Sequence, residues 1–385
     1  MTQDKIRIGI IGLKPDESWA GVAHVPSLKL LSDDYEITGV ANSNLESSKA
    51  AAEALGIPNA FDNADALIAS PDIDAVTVTI TVPQHIKVVR AALNAGKHVY
   101  CEAPLGNGLA EAEEMADLAR SKDLVAVVGL QARVSPPVLY MRKLIAEGFV
   151  GRVLSSSLSG WGGNWGATAS NISRLGYLLD KSNGATMLTI PLGHTIAAVC
   201  DVLGDFTEIS AMLDTRVRNV KSEDDGQILE QTAPDQILVT ARLEQDVPLS
   251  IHYQGGMPNG TEGFVWDIHG TDGDLRVTAP FGHSQMAQLS LSGAKAGDGE
   301  LKPLEVPETY CEGLTADPVP GNVARNYARM AKDFRTGNRA ASTFDDAVGV
   351  QRVIDAIERA SESGARVHLE PRDRPLPLNA KDHLA

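Results

Sequence analysis

The stretch IRIGIIGLKPDESWAGVAH, residues 6–24, decides the fold. Ile6, Ile8, Ile10 and Ile11 form an apolar run of the length and character of a strand buried on both faces. Gly12 stands where such a strand turns into a helix. A glycine at this junction lets backbone approach a pyrophosphate, which then sits against the positive end of the helix. The second glycine of the usual spacing is replaced by Lys14, and Pro15, Asp16 and Glu17 lengthen the loop before a helix expected to start near Ser18 or Trp19. The loop must therefore bulge. It could still cover phosphates, with Lys14 adding a positive charge.

Working outward, further apolar runs at Glu36–Val40, Ala75–Ile80, His98–Glu102 and Val125–Leu130 alternate with stretches of helical spacing such as Leu45–Leu55 and Ile86–Ala95. That alternation specifies right-handed βαβ crossovers and a doubly wound parallel sheet. After Leu130 the texture changes. A helix is expected over Pro136–Glu147, followed by the Gly- and Ser-rich VLSSSLSGWGGNWG (153–166). Period-two runs then dominate: Glu208–Leu213, Gln236–Leu243, Leu249–Tyr253, Phe264–His269 and Asp274–Val277, with GTDGD (270–274) as a hairpin signal. They predict one open, largely antiparallel sheet. Helices return at Asn322–Phe334 and Phe344–Ala360. The expected division is residues 1–131, 132–370 and a flexible tail, 371–385, too rich in proline and charge to pack.

The chain has 385 residues, more than one hydrophobic core usually supports. Its 34 Lys and Arg against 50 Asp and Glu leave a net charge of −16, which repels phosphate backbones and argues against nucleic-acid binding. Three widely spaced cysteines make no disulfide framework. No leader pattern and no run of roughly 18 apolar residues is evident, so a cytoplasmic protein without membrane contact is expected.

The coenzyme type depends on the end of the second strand, where a carboxylate would hold the adenosine ribose diol and repel a 2′-phosphate. VANSNLESSK (40–49) places Asn42, Ser43 and Asn44 there, so NADP is preferred over NAD. Gln131 and Arg133 follow the fifth predicted strand, at the carboxyl edge where such sheets bind ligands. Trp161 and Trp165 flank flexible glycines and Asn164, a pattern suited to stacking on a sugar ring. His194 precedes an apolar-striped helix and is the best general acid or base. The remaining histidines show no metal-ligand spacing, and no metal is expected.

Four stretches, GIIG, AALNAGKHVYCEAPLGNGLAEAEEMADLA (91–119), SPPVLYMRKLIAEGFVGRVL (135–154) and DPVPGNVARNYARMAKDF (317–334), resemble the glucose-fructose oxidoreductase and inositol dehydrogenase (Gfo/Idh/MocA) family over nearly the whole chain. The resemblance implies an N-terminal Rossmann domain, then an α/β domain whose open sheet commonly makes oligomer contacts, here a homodimer or homotetramer. It also implies NAD(P)-linked oxidation or reduction of sugars and polyols. It places the coenzyme against Gly12, Leu13, Lys14, Trp19, the Asn42–Asn44 turn, Thr81, His85, Glu102, Ala103 and Gln131, and the substrate against Arg133, Trp161, Asn164, Trp165 and His194.

The family's Glu-Lys-Pro reads Glu102-Ala103-Pro104 here. The two aspartates that flank the family's motif histidine are Ile190 and Ala197, and only His194 remains. Tyr177, Asp180 and Lys181, just upstream, are the nearest candidates to replace the lysine. GLQARVSPPVL, GWGGNWG, PLGHTIAAV and VWDIHGTDGDLRV are similar to a subgroup containing the fungal galactose-pathway co-repressor, which binds NAD(P) and acts by protein contact. The first expectation is therefore an NAD(P)-dependent oxidoreductase acting on a sugar, sugar acid, polyol or glycoside. A non-catalytic nucleotide-bound regulator and a redox-neutral enzyme with internal coenzyme cycling are the alternatives.

Overall fold

The computed structural model describes residues 4–163, 165, 168–256 and 263–370, with residue 168 described by its backbone alone. Asn164 and the tail 371–385 lie outside the described residues. The chain divides into two compact units, residues 1–131 with 314–348 and residues 132–313 with 349–385. The helices are α1 (Val25–Leu30), α2 (Leu45–Leu55), α3 (Ala64–Ala69), α4 (His85–Asn94), α5 (Leu109–Lys122), α6 (Pro136–Ala146), α7 (Ile172–Leu175), α8 (Gly193–Leu203), α9 (Pro318–Thr336) and α10 (Phe344–Ser363).

In the first unit, strands β1 (Ile6–Ile11), β2 (Tyr35–Ala41), β3 (Asn59–Phe61), β4 (Ala75–Val78), β5 (His98–Glu102) and β6 (Ala126–Gly129) form one parallel sheet in the order β3-β2-β1-β4-β5-β6. This is the doubly wound Rossmann order, which reverses between β1 and β4 and binds ligands at the carboxyl ends there. Strands β1, β4, β5 and β6 are buried on both faces, as their continuous apolar runs require. Asn44 and Asn63 start α2 and α3 by accepting the Ser47 and Ala66 amides on their side-chain oxygens, both at 2.9 Å. The first helix departs from expectation: a π-helical turn, Ala20–His24, leads into α1 rather than a regular helix beginning at Ser18 or Trp19.

The second domain is interrupted, contrary to the expected continuous span of residues 132–370. Val323, Tyr327, Met330 and Ala331 of α9 pack into one cluster with Ile6, Ile8 and Ile10 of β1. Residues 314–348 thus complete the core of the nucleotide-binding unit.

The second unit carries β7 (Val153–Trp161), β9 (Phe206–Asp214), β12 (Gln236–Leu243), β13 (Pro248–Gln254), β14 (Phe264–Gly270), β15 (Gly273–Ala279), β16 (Ser290–Lys295), β17 (Lys302–Pro303) and β18 (Val367–His368) in one sheet ordered β17-β16-β15-β14-β7-β13-β12-β9-β18. Every pairing is antiparallel except β13 with β7. A small sheet joins β8 (Thr168–Ala169), β10 (Asn219–Ser222) and β11 (Ile228–Glu230). Strand β12 alternates buried and exposed residues from Ile237 to Leu243, so one face of the large sheet packs on the core. Among the described residues one helical stretch, 181–203, is long and apolar enough by composition to cross a membrane, but 83% of its most apolar window is buried inside the protein, as in a core helix.

Candidate functional site

The carboxyl edge of the first sheet is built on Gly12. Its φ of +96° suits glycine, and a Cβ there would lie 2.8 Å from Ile80 Cγ2 and 3.0 Å from the Thr79 carbonyl oxygen. Leu13 is buried and pairs with Asn42 as one strand residue pairs with another: its amide donates to Asn42 Oδ1 and its carbonyl accepts from Asn42 Nδ2, both at 2.8 Å. Asn42 therefore holds the glycine turn to the end of β2. Ser43 and Asn44 are exposed beside it.

The lengthened loop closes on itself. Ser18 Oγ accepts the Lys14 amide and donates to the Lys14 carbonyl, both at 2.8 Å. Lys14 Nζ pairs with Glu17 at 2.5 Å. The loop then lies on Gly21, where a Cβ would meet the Lys14 carbonyl oxygen at 2.5 Å and the Asp16 amide nitrogen at 2.9 Å. The close approach that the usual second glycine permits is thus moved to Gly21, a role the sequence reading missed. Trp19 packs against the same core with its indole Nε1 buried and unpartnered.

At the end of β5, Glu102 is fastened from two sides. His24 Nε2 donates to its Oε1 at 2.8 Å, and Gln131 Nε2 reaches both oxygens, at 2.8 and 3.0 Å. His24 Nδ1 lies 2.9 Å from the Tyr327 hydroxyl, which is 2.8 Å from Thr77 Oγ1. The chain Thr77–Tyr327–His24–Glu102 ties β4, α9, the first helical turn and β5 together. Burial pushes the Tyr327 phenol far up, so it stays protonated. Gln131 is 1% exposed, and its Oε1 has no donor. Ala103 is partly exposed beside Glu102 and joined to Pro104 by a cis peptide bond.

Thr81 is exposed and opens the turn before α4, its carbonyl accepting the Gln84 amide. His85 is buried, with Nδ1 3.1 and 3.2 Å from the Pro104 and Leu105 carbonyl oxygens and Nε2 3.0 Å from that of Ile80. Burial holds its pKa below the ordinary value. Its ring thus faces backbone carbonyl oxygens of two turns at the carboxyl edge, and the one N–H of the neutral ring ties it to one of them.

In the second unit, His194 is 3% exposed near the start of α8. Thr195 Oγ1 lies 2.7 Å from the Tyr253 hydroxyl, 2.9 Å from Ser284 Oγ and 3.1 Å from the Pro191 carbonyl. Arg133 is held bidentate on Asp201 at 2.7 and 2.8 Å, which directs its guanidinium to α8 rather than to open solvent. Trp161 donates its amide to the Gly263 carbonyl and accepts the Gly282 amide, so its strand end is pinned from both sides. Trp165 is 2% exposed and stacks on His283, with centroids 5.8 Å apart and planes 22° off parallel. Both indole Nε1 atoms are buried without a partner.

Tyr177, Asp180 and Lys181, the candidates to replace the lysine, lie on the short turns that precede α8. Asp180 is exposed and accepts the Ser182 amide, Lys181 is exposed with its amide on Thr232 Oγ1, and the Tyr177 phenol is half-buried with its pKa raised by burial. Among the described residues, no group of three or more His, Cys, Asp or Glu could hold a metal ion.

Residues 6–130 match the model of the oxidoreductase family with an NAD-binding Rossmann fold, and residues 136–279 match that of the Gal80p C-terminal domain. The dehydrogenase aclE of Aspergillus oryzae is 30% identical over 94% of this chain and 97% of its own length. The chain belongs to the Gfo/Idh/MocA oxidoreductase family. Within the family it is also similar to the galactose/lactose metabolism regulatory protein GAL80 of Saccharomyces cerevisiae, 27% identical over 94% of each chain. A solved levoglucosan dehydrogenase, in complex with NADH and levoglucosan, shares the fold with a TM-score of 0.82 at 22% identity, over 95% of this chain and 100% of that one.

Proposed function

We propose that this member of the family is an NAD(P)-dependent oxidoreductase that moves a hydride to or from a hydroxyl or carbonyl carbon of a sugar, sugar acid, polyol or glycoside. The observation that carries the reading is the orphaned Oε1 of Gln131, a buried acceptor beside the clamped Glu102 at the carboxyl edge of the parallel sheet. A buried acceptor without a donor is costly, and an amide-bearing coenzyme ring would supply one. Gly12, Leu13, Lys14 and Trp19 would hold the pyrophosphate side, and Glu102, Ala103 and Gln131 the nicotinamide side. When bound, the nicotinamide supplies the hydride acceptor or donor. No carboxylate stands at Asn42, Ser43 or Asn44, which favours NADP over NAD.

On the chain's own side, His194 takes the hydroxyl proton on oxidation and returns it on reduction. Ala103 brings no cation to the reacting oxygen, so rate rests on positioning and on this one proton carrier. The relatives aclE and levoglucosan dehydrogenase, both dehydrogenases by name, support an enzyme. The loss of the family's lysine and of both flanking aspartates, together with the similarity to GAL80, supports the second reading: a nucleotide-bound regulator acting through protein contacts. We also propose a homodimer or homotetramer formed through the open face of the large sheet. There Met212 and Leu238 are exposed in neighbouring register.

Coenzyme fluorescence followed during incubation with a panel of sugars, polyols and lactones separates the readings. Turnover that His194→Ala abolishes, with coenzyme binding intact, supports the enzyme. Tight coenzyme binding with no turnover on any panel member supports the regulator.

A further inference from the structure

The segment Gly282-His283-Ser284 meets Trp161, Trp165 and the residue after His194. The Gly282 amide donates to the Trp161 carbonyl at 2.8 Å, and its carbonyl accepts from the Tyr253 hydroxyl at 2.9 Å. The Tyr253 ring in turn lies flat over Gly160, where a Cβ would come within 2.5 Å of its Cζ. The His283 ring stacks on Trp165, and Ser284 Oγ is 2.9 Å from the hydroxyl of Thr195, the residue after His194. His283 and His194 thus flank one hydrogen-bonded pair of hydroxyls.

The hydrogen-bonding capacity left over in this patch is uneven. Two indole N–H groups, on Trp161 and Trp165, are buried without an acceptor. Buried indole N–H groups ordinarily find a partner. His283 Nε2 lies 3.4 Å from the Gly162 carbonyl oxygen, which can only accept, so Nε2 carries the proton and Nδ1 keeps a lone pair. Desolvation brings the His283 pKa down to about 4, and the ring is neutral at physiological pH. Arg133 is already bidentate on Asp201, and Arg276, seven residues before His283, is bidentate on Asp267. Two neutral donors and one neutral acceptor, with aromatic faces, match a ring bearing ether and hydroxyl oxygens. They do not compensate a carboxylate or a phosphate.

We infer that Trp161, Trp165 and His283 form a subsite for an uncharged polyhydroxylated ring, in which His283 Nδ1 accepts a hydrogen bond from a ring hydroxyl and fixes the ring's orientation. This rests on the oxidoreductase reading for its link to chemistry, and it narrows the substrate class from sugars and sugar acids to neutral sugars, polyols and glycosides.

Tryptophan fluorescence and calorimetric titrations of the full chain, with NADPH present, test it using D-glucose, D-galactose, D-xylose, myo-inositol and D-gluconate as probes. At least one neutral probe should bind and shift tryptophan emission, with gluconate binding at least tenfold more weakly. His283→Phe keeps an aromatic ring on Trp165 and removes the lone pair, so it should weaken the neutral probe about tenfold while leaving coenzyme affinity unchanged. His283→Gln, which retains an acceptor, should recover part of the loss and serves if the phenylalanine variant does not fold. Gluconate binding as tightly as the neutral probes, neutral-probe affinity unaltered in both variants, or no neutral probe bound by protein that takes up coenzyme each overturns the subsite. Turnover that persists unchanged in His283→Phe removes the subsite but leaves the oxidoreductase reading standing. Saturable neutral-probe binding without any coenzyme uptake does the reverse.

Discussion

Replacing Gly21 by alanine probes the loop that the proposed coenzyme site uses. The added Cβ would sit 2.5 Å from the Lys14 carbonyl oxygen, 2.9 Å from the Asp16 amide nitrogen and 3.3 Å from the Pro15 carbonyl carbon. All three are backbone atoms, so no rotamer change relieves the overlap and the loop itself must shift. Overpacking of this kind costs about 1–3 kcal/mol. The better helix propensity of alanine returns at most about 1 kcal/mol. Because Ser18 closes the loop through Lys14, the displacement falls on the segment that would face the pyrophosphate. A loss of about 1–3 kcal/mol in binding corresponds to a roughly 5- to 150-fold higher Kd for the coenzyme. Calorimetric titration of NADP and NAD, with circular dichroism confirming the fold, measures this. Gly193→Ala, where a Cβ meets nothing closer than 3.7 Å, is the control and should leave affinity unchanged. A Gly21→Ala protein with coenzyme affinity within twofold of the wild type would refute the placement of the loop against the ligand.

Tyr327→Phe leaves His24 Nδ1 and Thr77 Oγ1 buried without the hydroxyl between them, so the nucleotide-binding unit should lose about 2–3 kcal/mol, read as an earlier transition in urea. An unchanged midpoint would show that the chain of hydrogen bonds does not hold the core. His283, with its pKa lowered to about 4 against an ordinary 6.5, gives a stability that is full above pH 6.5. Between pH 6.5 and 4 the unfolded chain binds a proton that the folded one refuses, and up to about 3 kcal/mol is lost, with nothing further lost to this group below pH 4. Urea midpoints across that range should fall more steeply for the wild type than for His283→Phe; parallel curves contradict the assignment. Replacing both Met212 and Leu238 by lysine should shift the protein to smaller species in light scattering if the open sheet face joins copies, and an unaltered mass points to another surface. Ala103→Lys restores the family's cation beside the coenzyme edge and should raise sugar-dependent turnover about 10- to 100-fold, followed by coenzyme absorbance.

Strands β1 and β5 and helices α2 and the start of α10 stand where the periodicity places them, because each is specified by its own apolar pattern. Strand β7 had no such signal. Its buried positions are Ser156, Leu158 and Gly160, and the bulk that fills its face comes from elsewhere: the Tyr253 ring over Gly160, and Trp266, whose indole donates to Ser156 Oγ at 3.0 Å. A strand that packs through its partners' side chains is invisible to a one-dimensional reading. The coenzyme turn was legible through Gly12, but not the compensation at Gly21, which depends on a loop fold that closes through Ser18. Glu102 and Gln131 were singled out separately, whereas the reason for their positions, His24 and Tyr327, lies in residues 303 positions apart. Arg133 was read as a ligand-orienting residue at the carboxyl edge, whereas its partner Asp201 emerges only once α8 is folded.

The return of residues 314–348 to the first core constrains how the protein can be made. A ribosome releases the six parallel strands long before it releases α9, and at ordinary elongation rates the interval is on the order of ten seconds or more. Throughout that time His24 and Thr77 lack Tyr327, and the apolar underside of β1 lacks its cover. A gene fragment ending at residue 131 should therefore yield an aggregating product, whereas one that joins 314–348 behind a short linker should give a soluble nucleotide-binding module.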